Sequence, residues 1–438
     1  MTALAAAGLA GIGVSTVLYA IAAAEVRRLR KTAVGHRVPG FSPPVSILKP
    51  LRGLDDDLEE NLESFFRLRY PRFEIVFSFA ERSDPAYPIA RGVADRYPQV
   101  PVTFVFDPRD SGGNAKVDRL AAASERARHR LLMFSDGNVR VRPDFLGRAV
   151  SHFADRRVGL VSHLFAAAGA ESLASRVEAL YLNGCLLPGT AAIAGILKIP
   201  CVVGKSILVS RTALEVMGGF PALQHYLAED YLIGREVRRA GYRVVLSADI
   251  IETAEVHKTA RAVWDRHRRW AIMRRRLGGV LYLAESFSGA LPWAAAAAAN
   301  GAWGPAAVLL GIRYLLEGHL AASLDRPHTV LDRLLLPVRD VFATAVFLAG
   351  LAGQRVRWRG RAIAVGPETR IEGRVSAAGG RGSSAERGVP AEPPRAGGRR
   401  IPLNQIAGTA FRPRRARRST RSPWASRGAS PGAGWRRT

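Results

Sequence analysis

The chain opens with a long run of apolar residues that ends abruptly in charge. Residues 2–24 contain no charged side chain, whereas Glu25 and the basic residues after it form a polar boundary. A helix of this length crosses the roughly 30 Å of hydrocarbon in a bilayer. The alternative is a cleaved signal peptide, but here the basic residues follow the apolar run. We therefore predict a membrane anchor over residues 1–25, with the basic and polar linker of residues 26–43 on the cytoplasmic side.

From residue 44 the pattern changes to short apolar runs that alternate with helical periodicity. Residues 45–50 and 73–79 are apolar runs that indicate buried strands. Between them, apolar residues recur at three- and four-residue intervals, as on one face of a helix. They are Leu54, Leu58, Leu62, Phe65 and Leu68. Asp55, Asp56 and Asp57 fall near the start of that helix, where carboxylates favour the positive end of the helix dipole.

The same alternation continues and defines the fold class. Strands are predicted at 101–106, 130–135 and 157–163, and helices near 85–97 and 115–127. Repeated strand–helix units predict a mainly parallel sheet that is covered by helices. We therefore predict an α/β domain over residues 44–280. In such sheets ligands bind at the carboxyl ends of the strands.

The C-terminal third returns to apolar composition. Residues 286–312 carry no charge, but Pro292 and Gly301 predict either two helices or one helix with a break. A later apolar stretch contains Arg339-Asp340, a pair that has to face protein or the membrane interface. We predict two or three membrane segments within residues 281–355; the alternative is a soluble helical bundle.

Charge is concentrated at the end of the chain. The net charge is +27, of which residues 371–438 supply +12 through 15 Arg and 3 Glu. This Gly-, Pro- and Ser-rich tail lacks apolar periodicity, so we predict that it is disordered. It follows a basic cytoplasmic exit at residues 356–370. Anionic phospholipid at the membrane surface accounts for the charge, and no specific nucleic acid is expected.

Two acidic residues are predicted to lie at strand ends, where a ligand should bind. Asp136 follows the strand at 130–135, and a carboxylate there can hold Mg²⁺ or Mn²⁺ against diphosphate oxygens. Asn138 can add a carbonyl oxygen to the metal site, although Ser-Asp-Gly-Asn is also a good turn sequence. Asp84 follows the second strand and can accept hydrogen bonds from a nucleotide, or can simply begin the next helix.

Basic residues near those strand ends are candidates for binding the nucleotide-sugar. Lys49 and Pro50 end the first strand and can line the same pocket. Lys116 follows a flexible Gly-Gly-Asn segment and can meet a phosphate, or can be an ordinary surface lysine.

Glu229 and Asp230 are the candidate catalytic pair. Transfer of a sugar with inversion needs a carboxylate that takes the proton of the attacking hydroxyl. Asp230 is the predicted base, and Glu229 is predicted to support placement of the acceptor. The alternative is that both residues only stabilise the first turn of a helix.

Arg266, Arg269 and Trp270 have the spacing that places side chains on one helix face. Arginine suits phosphate because its planar fork donates two parallel hydrogen bonds. We predict that these residues hold a diphosphate and an acceptor. A basic amphipathic helix on a lipid surface is the alternative.

Together these motifs resemble the ceramide glucosyltransferase family over about residues 44–275. The resemblance lies in Ser46-Ile47-Leu48-Lys49-Pro50-Leu51-Arg52-Gly53, Asp84-Pro85-Ala86, Asp136, Ala228-Glu229-Asp230-Tyr231 and Arg266-x-x-Arg269-Trp270. It implies a membrane-bound inverting enzyme with a GT-A (Rossmann-like) catalytic domain flanked by transmembrane helices. It further implies that Asp84 binds nucleotide, Asp136 binds metal and Asp230 is the base. Asn138 departs from the strict Asp-x-Asp pattern of the second motif.

The resemblance implies transfer of glucose from UDP-glucose to the primary hydroxyl of ceramide at the cytoplasmic membrane face. Hopanoid-modifying glycosyltransferases are similar too, so hopanoid and diacylglycerol remain alternative acceptors. A processive polysaccharide synthase shares the motif plan but needs a translocation channel. A basic membrane scaffold is the alternative that is not an enzyme.

Overall fold

The computed structural model describes residues 1–33, 38–199, 201–358 and 361–374. Beyond residue 374, the predicted Arg-rich tail of residues 371–438 lies outside the described residues. The strands of the main sheet are β1 (Val45–Pro50), β2 (Phe73–Phe79), β3 (Val102–Phe106), β4 (Leu131–Ser135), β5 (Val139–Arg140), β6 (Val158–Ala168), β7 (Ser206–Ser210) and β8 (Arg243–Ala254).

These strands form one eight-stranded sheet in the order β3-β2-β1-β4-β7-β6-β8-β5. The pairs β1–β2, β1–β4, β2–β3 and β6–β8 are parallel, whereas β7 runs antiparallel to both of its neighbours. The sheet is therefore mainly parallel, as predicted. Strands β1, β2 and β4 deliver their carboxyl ends to the same edge, which is where a ligand is expected.

The helices are α1 (Ala3–Ala33), α2 (Leu58–Phe66), α3 (Ala86–Arg96), α4 (Ala115–Arg126), α5 (Phe145–Ser151), α6 (Leu173–Tyr181), α7 (Leu187–Gly195), α8 (Arg211–Val216), α9 (Glu229–Arg239), α10 (Ala260–Gly278), α11 (Leu291–Ala297), α12 (Trp303–Ser323) and α13 (Val330–Ala352). Helix α2 is shorter than its periodicity predicts, because Leu54 and Leu68 lie outside it. Asp57 adopts the left-handed conformation (φ 51°) immediately before the helix and delays its start.

Helices cover both faces of the sheet and create two cores. Neighbouring residues of β1 point to opposite faces, so Ile47 packs with α2, α3 and α5, whereas Leu48 packs with α4, α8 and α9. Both residues are fully buried. A strand that is buried on both faces reads as a continuous apolar run, which is why β1 and β2 were predictable to the residue.

Four apolar helical segments of the described chain are long and apolar enough to cross a membrane. They are Ala3–Lys31, Leu173–Gly195, Leu291–Ser323 and Val330–Ala352. The third is one helix with a break, since Asn300 and Gly301 (φ 90°) leave helical geometry. Helices α11 and α12 on either side of the break pack against one another and against α1.

The segment formed by α6 and α7 was not predicted as a candidate span. It lies inside the 44–280 domain and connects strands β6 and β7, which are neighbours in the sheet. A π-helical turn, Leu182–Leu186, joins the two helices. The segment packs against β6 on one side and against α1 and α13 on others, so it joins the α/β domain to the apolar helices.

A buried charge network holds these apolar helices together. Arg339 on α13 donates two hydrogen bonds to Glu317 on α12, at 2.7 and 2.8 Å. Arg313 donates to the same carboxylate at 2.8 Å, and Asp340 accepts from Arg339 at 2.9 Å. All four residues are at most 2% exposed. The prediction that Arg339-Asp340 faces protein is therefore confirmed.

The π-helical turn of the α6–α7 segment passes directly over this network. A side chain at Gly184 would place its Cβ 2.7 Å from Nη1 of Arg339, so only glycine permits the approach. Cys185, the next residue, is a free thiol and is only partly buried, as is Cys201.

The described residues of the predicted basic exit, 356–370, belong to a small antiparallel sheet, which also takes in residues 371–374, so the predicted disorder is wrong for those four residues. Its strands are β9 (Arg355–Trp358), β10 (Arg361–Val365) and β11 (Ile371–Arg374). Val356, Ile363 and Val365 form an apolar cluster with Leu227 and with Ile272 of α10. This cluster ties the end of the described chain to the α/β domain.

We expect Glu317→Ala to lower the free energy of unfolding by about 3–5 kcal/mol, because it leaves two buried arginines without their carboxylate. Chemical denaturation in detergent micelles measures this loss. The control is Glu59→Ala, which breaks a surface ion pair with Arg96 at 2.8 Å whose side chains are 58% and 46% exposed. That change should cost less than about 1 kcal/mol. Equal losses in the two variants would contradict a structural role for the network.

Candidate active site

Lys49, at the end of β1, fixes the end of the neighbouring strand β4. Its ammonium group donates to the carbonyl oxygen of Asp136 at 2.7 Å and lies 3.9 Å from the ring centroid of Phe65. Burial lowers the pKa of Lys49 to about 7, although the nearby carboxylates of Asp136 and Asp55 oppose the shift. The buried side chain of Lys49 therefore links the end of β1 to the residue that follows β4. Pro50 is the last residue of β1.

Asp136 follows β4 and its carboxylate sits between two lysines. Lys116 Nζ lies 2.8 Å from Oδ1, and Lys205 Nζ lies 3.6 Å from Oδ2. Burial alone would raise the pKa of Asp136, but Lys116 and Lys205 outweigh it and hold the pKa below its ordinary value. Asp136 is thus an anion at neutral pH, with 28% of its side chain exposed.

Lys116 also reaches the candidate catalytic pair. Its ammonium group lies 3.1 Å from Oε1 of Glu229, and Asn114 donates to the other oxygen of Glu229 at 3.0 Å. Burial would lower the pKa of Lys116, but Asp136 and Glu229 outweigh it and raise the pKa above its ordinary value. The lysine is therefore a permanent cation shared by β4 and α9, and not a solvated surface residue.

Asp230 begins α9 beside Glu229 but has a different electrostatic environment. Burial raises the pKa of Asp230 to about 7, and the like charge of Glu229 adds to the shift. Lys116 and backbone hydrogen bonds from Tyr231 and Gly204 only partly oppose it. A carboxyl group that titrates near neutral pH is suited to taking up a proton.

Two remote segments brace the loop that carries this pair. Gly113 lets the carbonyl of Gln224 approach, since a Cβ at that position would lie 2.1 Å from the oxygen. On the other side, the carbonyl and hydroxyl of Thr369 accept hydrogen bonds from the backbone of Leu227 and Ala228, both at 3.1 Å. The segment between β10 and β11 therefore supports the residues immediately before Glu229.

Two of the three acidic residues before α2 contact distant parts of the chain. Asp56 accepts backbone hydrogen bonds from Val256 at 2.9 Å and His257 at 3.1 Å, and pairs with Lys258 at 3.1 Å. Asp55 lies beside Gly137, because its Oδ2 atom is 2.5 Å from the position of a Cβ there, and the charge of Asp136 acts on its carboxyl group. Burial raises the pKa of Asp55. Asp55 is thus a site residue that the sequence did not indicate.

Asp84 is buried and binds backbone on both sides. Its carboxylate accepts from the amide of Gly53 at 2.9 Å and from the amide of Ala86, in the first turn of α3, at 3.0 Å. Asp84 therefore holds the segment after β1, besides beginning α3. Its lone pairs leave room for a further donor, which is what its predicted nucleotide-binding role requires.

Helix α10 carries the Arg266, Arg269 and Trp270 motif, and its helical spacing is confirmed. Arg266 pairs with Glu255 at 2.7 Å and with Glu178 at 3.1 Å, and both carboxylates are fully buried. The same Glu178 oxygen lies 2.8 Å from Nε2 of His267.

Glu178 belongs to α6, so it links the motif helix to the α6–α7 segment. Trp270 packs edge-on against His267, with ring centroids 5.2 Å apart. Burial lowers the pKa of His267 below its ordinary value, even though Glu178 opposes the shift. Arg266 of the motif is thus held by two buried acids.

Asn138 lies beside Asp136 with both ends of its side-chain amide engaged. The amide nitrogen donates to Glu255 at 3.1 Å, and the carbonyl oxygen accepts from Lys205 at 3.1 Å. No group of three or more His, Cys, Asp or Glu suited to a metal occurs in the described part of the chain. The carboxylates of Asp55 and Asp136 are the remaining candidate metal ligands. Two carboxylates together with phosphate oxygens are enough to bind Mg²⁺.

Several residues of this site carry no recognisable sequence signal. Lys205, Glu178 and Asp55 act through contacts with residues that are distant in the chain. Glu255 and Lys258 offer the one usable hint, because they follow a long strand at its carboxyl end. Extending the strand-end rule to β8 would have selected them.

The profile of glycosyl transferase family 21 matches residues 9–371. Among curated relatives, ceramide glucosyltransferase 3 of Caenorhabditis elegans is 29% identical over 266 residues, which is 60% of this chain and 58% of the relative. Ceramide glucosyltransferase 1 of the same organism is 27% identical over 233 residues, covering 53% and 50% respectively. The match thus spans little more than half the length of these relatives.

A solved structure supports the fold. A mannosyltransferase from Pyrobaculum calidifontis, in complex with GDP-Man and Mn²⁺, superimposes with a TM-score of 0.50 at 21% identity. The similarity covers 80% of this chain and 99% of that one. It places the α/β domain among GT-A glycosyltransferase folds, as predicted.

We expect Asp230→Asn to raise the free energy of unfolding by about 1–3 kcal/mol at pH 8, and by less at pH 5. Because the folded-state pKa of Asp230 is raised to about 7, the wild type loses stability as the pH rises from about 4 to about 7. The asparagine variant lacks that loss. Denaturation in detergent at each pH measures the difference.

Asp95→Asn is the control, since Asp95 is 58% exposed and pairs with Arg91 on the protein surface. It should give no increase in stability between pH 5 and pH 8. A stability difference for Asp230→Asn that does not change with pH would show that burial does not perturb this carboxyl group.

Proposed function

This chain belongs to glycosyl transferase family 21, and from that premise we propose that it transfers glucose from UDP-glucose to the primary hydroxyl of ceramide. The observation that supports this most strongly is the presence of two unlike carboxylates around Lys116, which contacts Asp136 directly and acts on Asp230 only through its charge. Asp136 is held as an anion, whereas Asp230 titrates near neutral pH. A site for group transfer needs such a division of roles between a charge-binding residue and a base.

We propose that the donor diphosphate binds at the carboxyl ends of β1 and β4. Lys116 and Lys205 supply positive charge there, and Arg266 and Arg269 are proposed to bring guanidinium groups to the same ligand. Asp84 is proposed to accept from the nucleotide next to the segment it already holds. Trp270 is proposed to shape the acceptor side of the site.

Asp55 and Asp136 would hold Mg²⁺ or Mn²⁺ together with the diphosphate oxygens, since both metals prefer oxygen ligands. Bound there, the ion would neutralise charge on the departing nucleotide. The amide oxygen of Asn138 is available to a metal only after Lys205 moves away, because Lys205 donates to it at 3.1 Å. We therefore favour Asp55 over Asn138 as the second ligand.

In the proposed reaction Asp230 removes the proton of the acceptor hydroxyl as its oxygen attacks the anomeric carbon of the sugar. The bond from that carbon to the diphosphate oxygen breaks, and the electron pair leaves with UDP. The attack comes from the face opposite the leaving group, so the configuration at the anomeric carbon inverts. Glu229, held by Asn114 and Lys116, is proposed to support placement of the acceptor, and its like charge raises the affinity of Asp230 for the proton.

The contact between α10 and the α6–α7 segment supports a lipid acceptor. Glu178 lies on an apolar helix that is long enough to cross a membrane, yet it pairs directly with Arg266. The motif residues are therefore adjacent to apolar helices, where a two-tailed lipid can present its hydroxyl group. The basic residues in the last turns of α1 favour a cytoplasmic location for the α/β domain.

The proposal predicts transfer of one labelled glucose from UDP-glucose to ceramide by the purified chain in membranes. Asp230→Asn and Asp136→Ala should each reduce the rate by about 100-fold or more. Chelation of divalent metal should also abolish transfer, and Mg²⁺ or Mn²⁺ should restore it. The exposed-site variant Asp95→Asn should keep full activity.

Other acceptors and donors are offered in the same assay. Transfer only to diacylglycerol or hopanoid would replace the acceptor, and a long soluble polymer would indicate a polysaccharide synthase. Failure of every nucleotide-sugar to react, or full activity of Asp230→Asn, would refute catalysis at this site.

The rate of transfer should rise with pH and level off above an apparent pKa of about 7, because Asp230 acts as a base only when ionised. Measuring kcat/KM between pH 5 and pH 9 gives the profile of the free enzyme. Glu229→Gln should shift the rising limb to lower pH, since it removes a like charge beside Asp230. A rising limb that stays at the same pH in this variant would assign the titration to another group.

A further inference from the structure

A cavity of about 380 Å³ lies apart from the candidate active site, at the far end of α9 from Asp230. It is lined by the last turns of α1, α7 and α9 and by the start of β8. Its basic residues are Arg28, Lys198, Arg238 and Arg243. None of the described residues that line it is acidic. The cavity therefore has the composition of an anion site.

The four cations differ in how far nearby carboxylates compensate their charge. Arg28 pairs with Glu25 at 2.6 Å, and Arg243 pairs with Asp155 at 2.6 Å. The salt bridges of the described residues include neither Lys198 nor Arg238. Arg238 donates to the carbonyl of Lys198 at 2.8 Å, and Lys198 donates to a carbonyl as well. A carbonyl acceptor leaves the positive charge of Arg238 uncompensated, whereas the charge of Lys198 also acts on the carboxylate of Glu25.

The cavity lies where two candidate membrane segments end. Arg28 is near the end of the segment Ala3–Lys31, and Gly195 ends the segment Leu173–Gly195. Large apolar side chains immediately before Lys198 are exposed: Ile193 by 41%, Ile196 by 48% and Leu197 by 53%. Exposed apolar residues next to clustered cations are typical of the boundary between hydrocarbon and lipid headgroups.

We propose that this cavity binds the phosphate of an anionic phospholipid. Lys198 and Arg238 face the phosphate oxygens, with Arg28 and Arg243 at the rim. The apolar residues beside the cavity contact the acyl chains, which is why a lipid is favoured over a soluble phosphate. Basic pockets between membrane helices bind anionic headgroups by this combination. The proposal rests on the membrane association in the proposed function, but not on the transfer reaction.

The test is native mass spectrometry of the full chain, purified in detergent and titrated with phosphatidylglycerol or phosphatidylcholine. The wild type should retain phosphatidylglycerol in preference to phosphatidylcholine. The double variant Lys198→Gln, Arg238→Gln should bind it roughly thirtyfold more weakly, since each cation near an anionic lipid contributes about 1 kcal/mol and tenfold in affinity is about 1.4 kcal/mol. If that variant unfolds, the single variant Arg238→Gln takes its place in the titration. Its side-chain amide can still donate a hydrogen bond to the carbonyl of Lys198, so the local fold is kept while one positive charge is removed.

Arg239→Gln is the matched control, because Arg239 is adjacent on α9 but pairs with Glu236 and does not line the cavity. It should bind phosphatidylglycerol as the wild type does, and so should Asp230→Asn, which separates lipid binding from catalysis. Equal binding by the double variant and the wild type would overturn the proposal. Displacement of the lipid by millimolar glycerol phosphate would also overturn it, in favour of a soluble ligand.

Discussion

The candidate active site depends on one buried cation that is shared by carboxylates from distant parts of the chain. Lys116 contacts Asp136 at the end of β4 and Glu229 at the start of α9. Without it, the negative charges of these residues and of Asp230 would repel in a region of low dielectric. The same cation has unequal effects, because it keeps the pKa of Asp136 low while burial and Glu229 keep that of Asp230 high. Two carboxylates in one site thus differ in protonation, because burial and Glu229 outweigh Lys116 at Asp230, whereas Lys116 and Lys205 outweigh burial at Asp136.

Buried charges also join the α/β domain to the apolar helices. Glu178 ties α6 to Arg266, and Glu317 ties α12 to Arg339 on α13. Gly184, in the same apolar segment as Glu178, approaches the second pair closely. The carboxylate of each pair is fully or almost fully buried, so separating the partners is costly and their geometry is strongly restrained. The position of the arginine motif is therefore linked to the packing of the apolar helices.

Local periodicity was enough to predict most strands of the sheet and to place Asp84 and Asp136 after strand ends. Strands β1 and β2 are buried on both faces, and Asp136 follows β4 directly. A short stretch of local sequence is therefore enough to predict these strands and the position of Asp136. Asp55 and Asp56 escaped prediction because their partners, near Gly137 and Val256, are brought close only by the folded sheet. The small sheet after α13 was missed for a related reason, since its short basic strands pack against a single helix and one loop.

The brace that Thr369 provides has a consequence for how the protein is made. Ribosomes add residues in order, so the segment of β10 and β11 leaves the ribosome only after α11, α12 and α13 have been synthesised. Until then the backbone before Glu229 lacks the acceptors that Thr369 supplies. A nascent chain halted anywhere before this segment therefore carries an unfinished catalytic loop. The last residues of the described fold thereby delay assembly of the complete site until the apolar helices already exist.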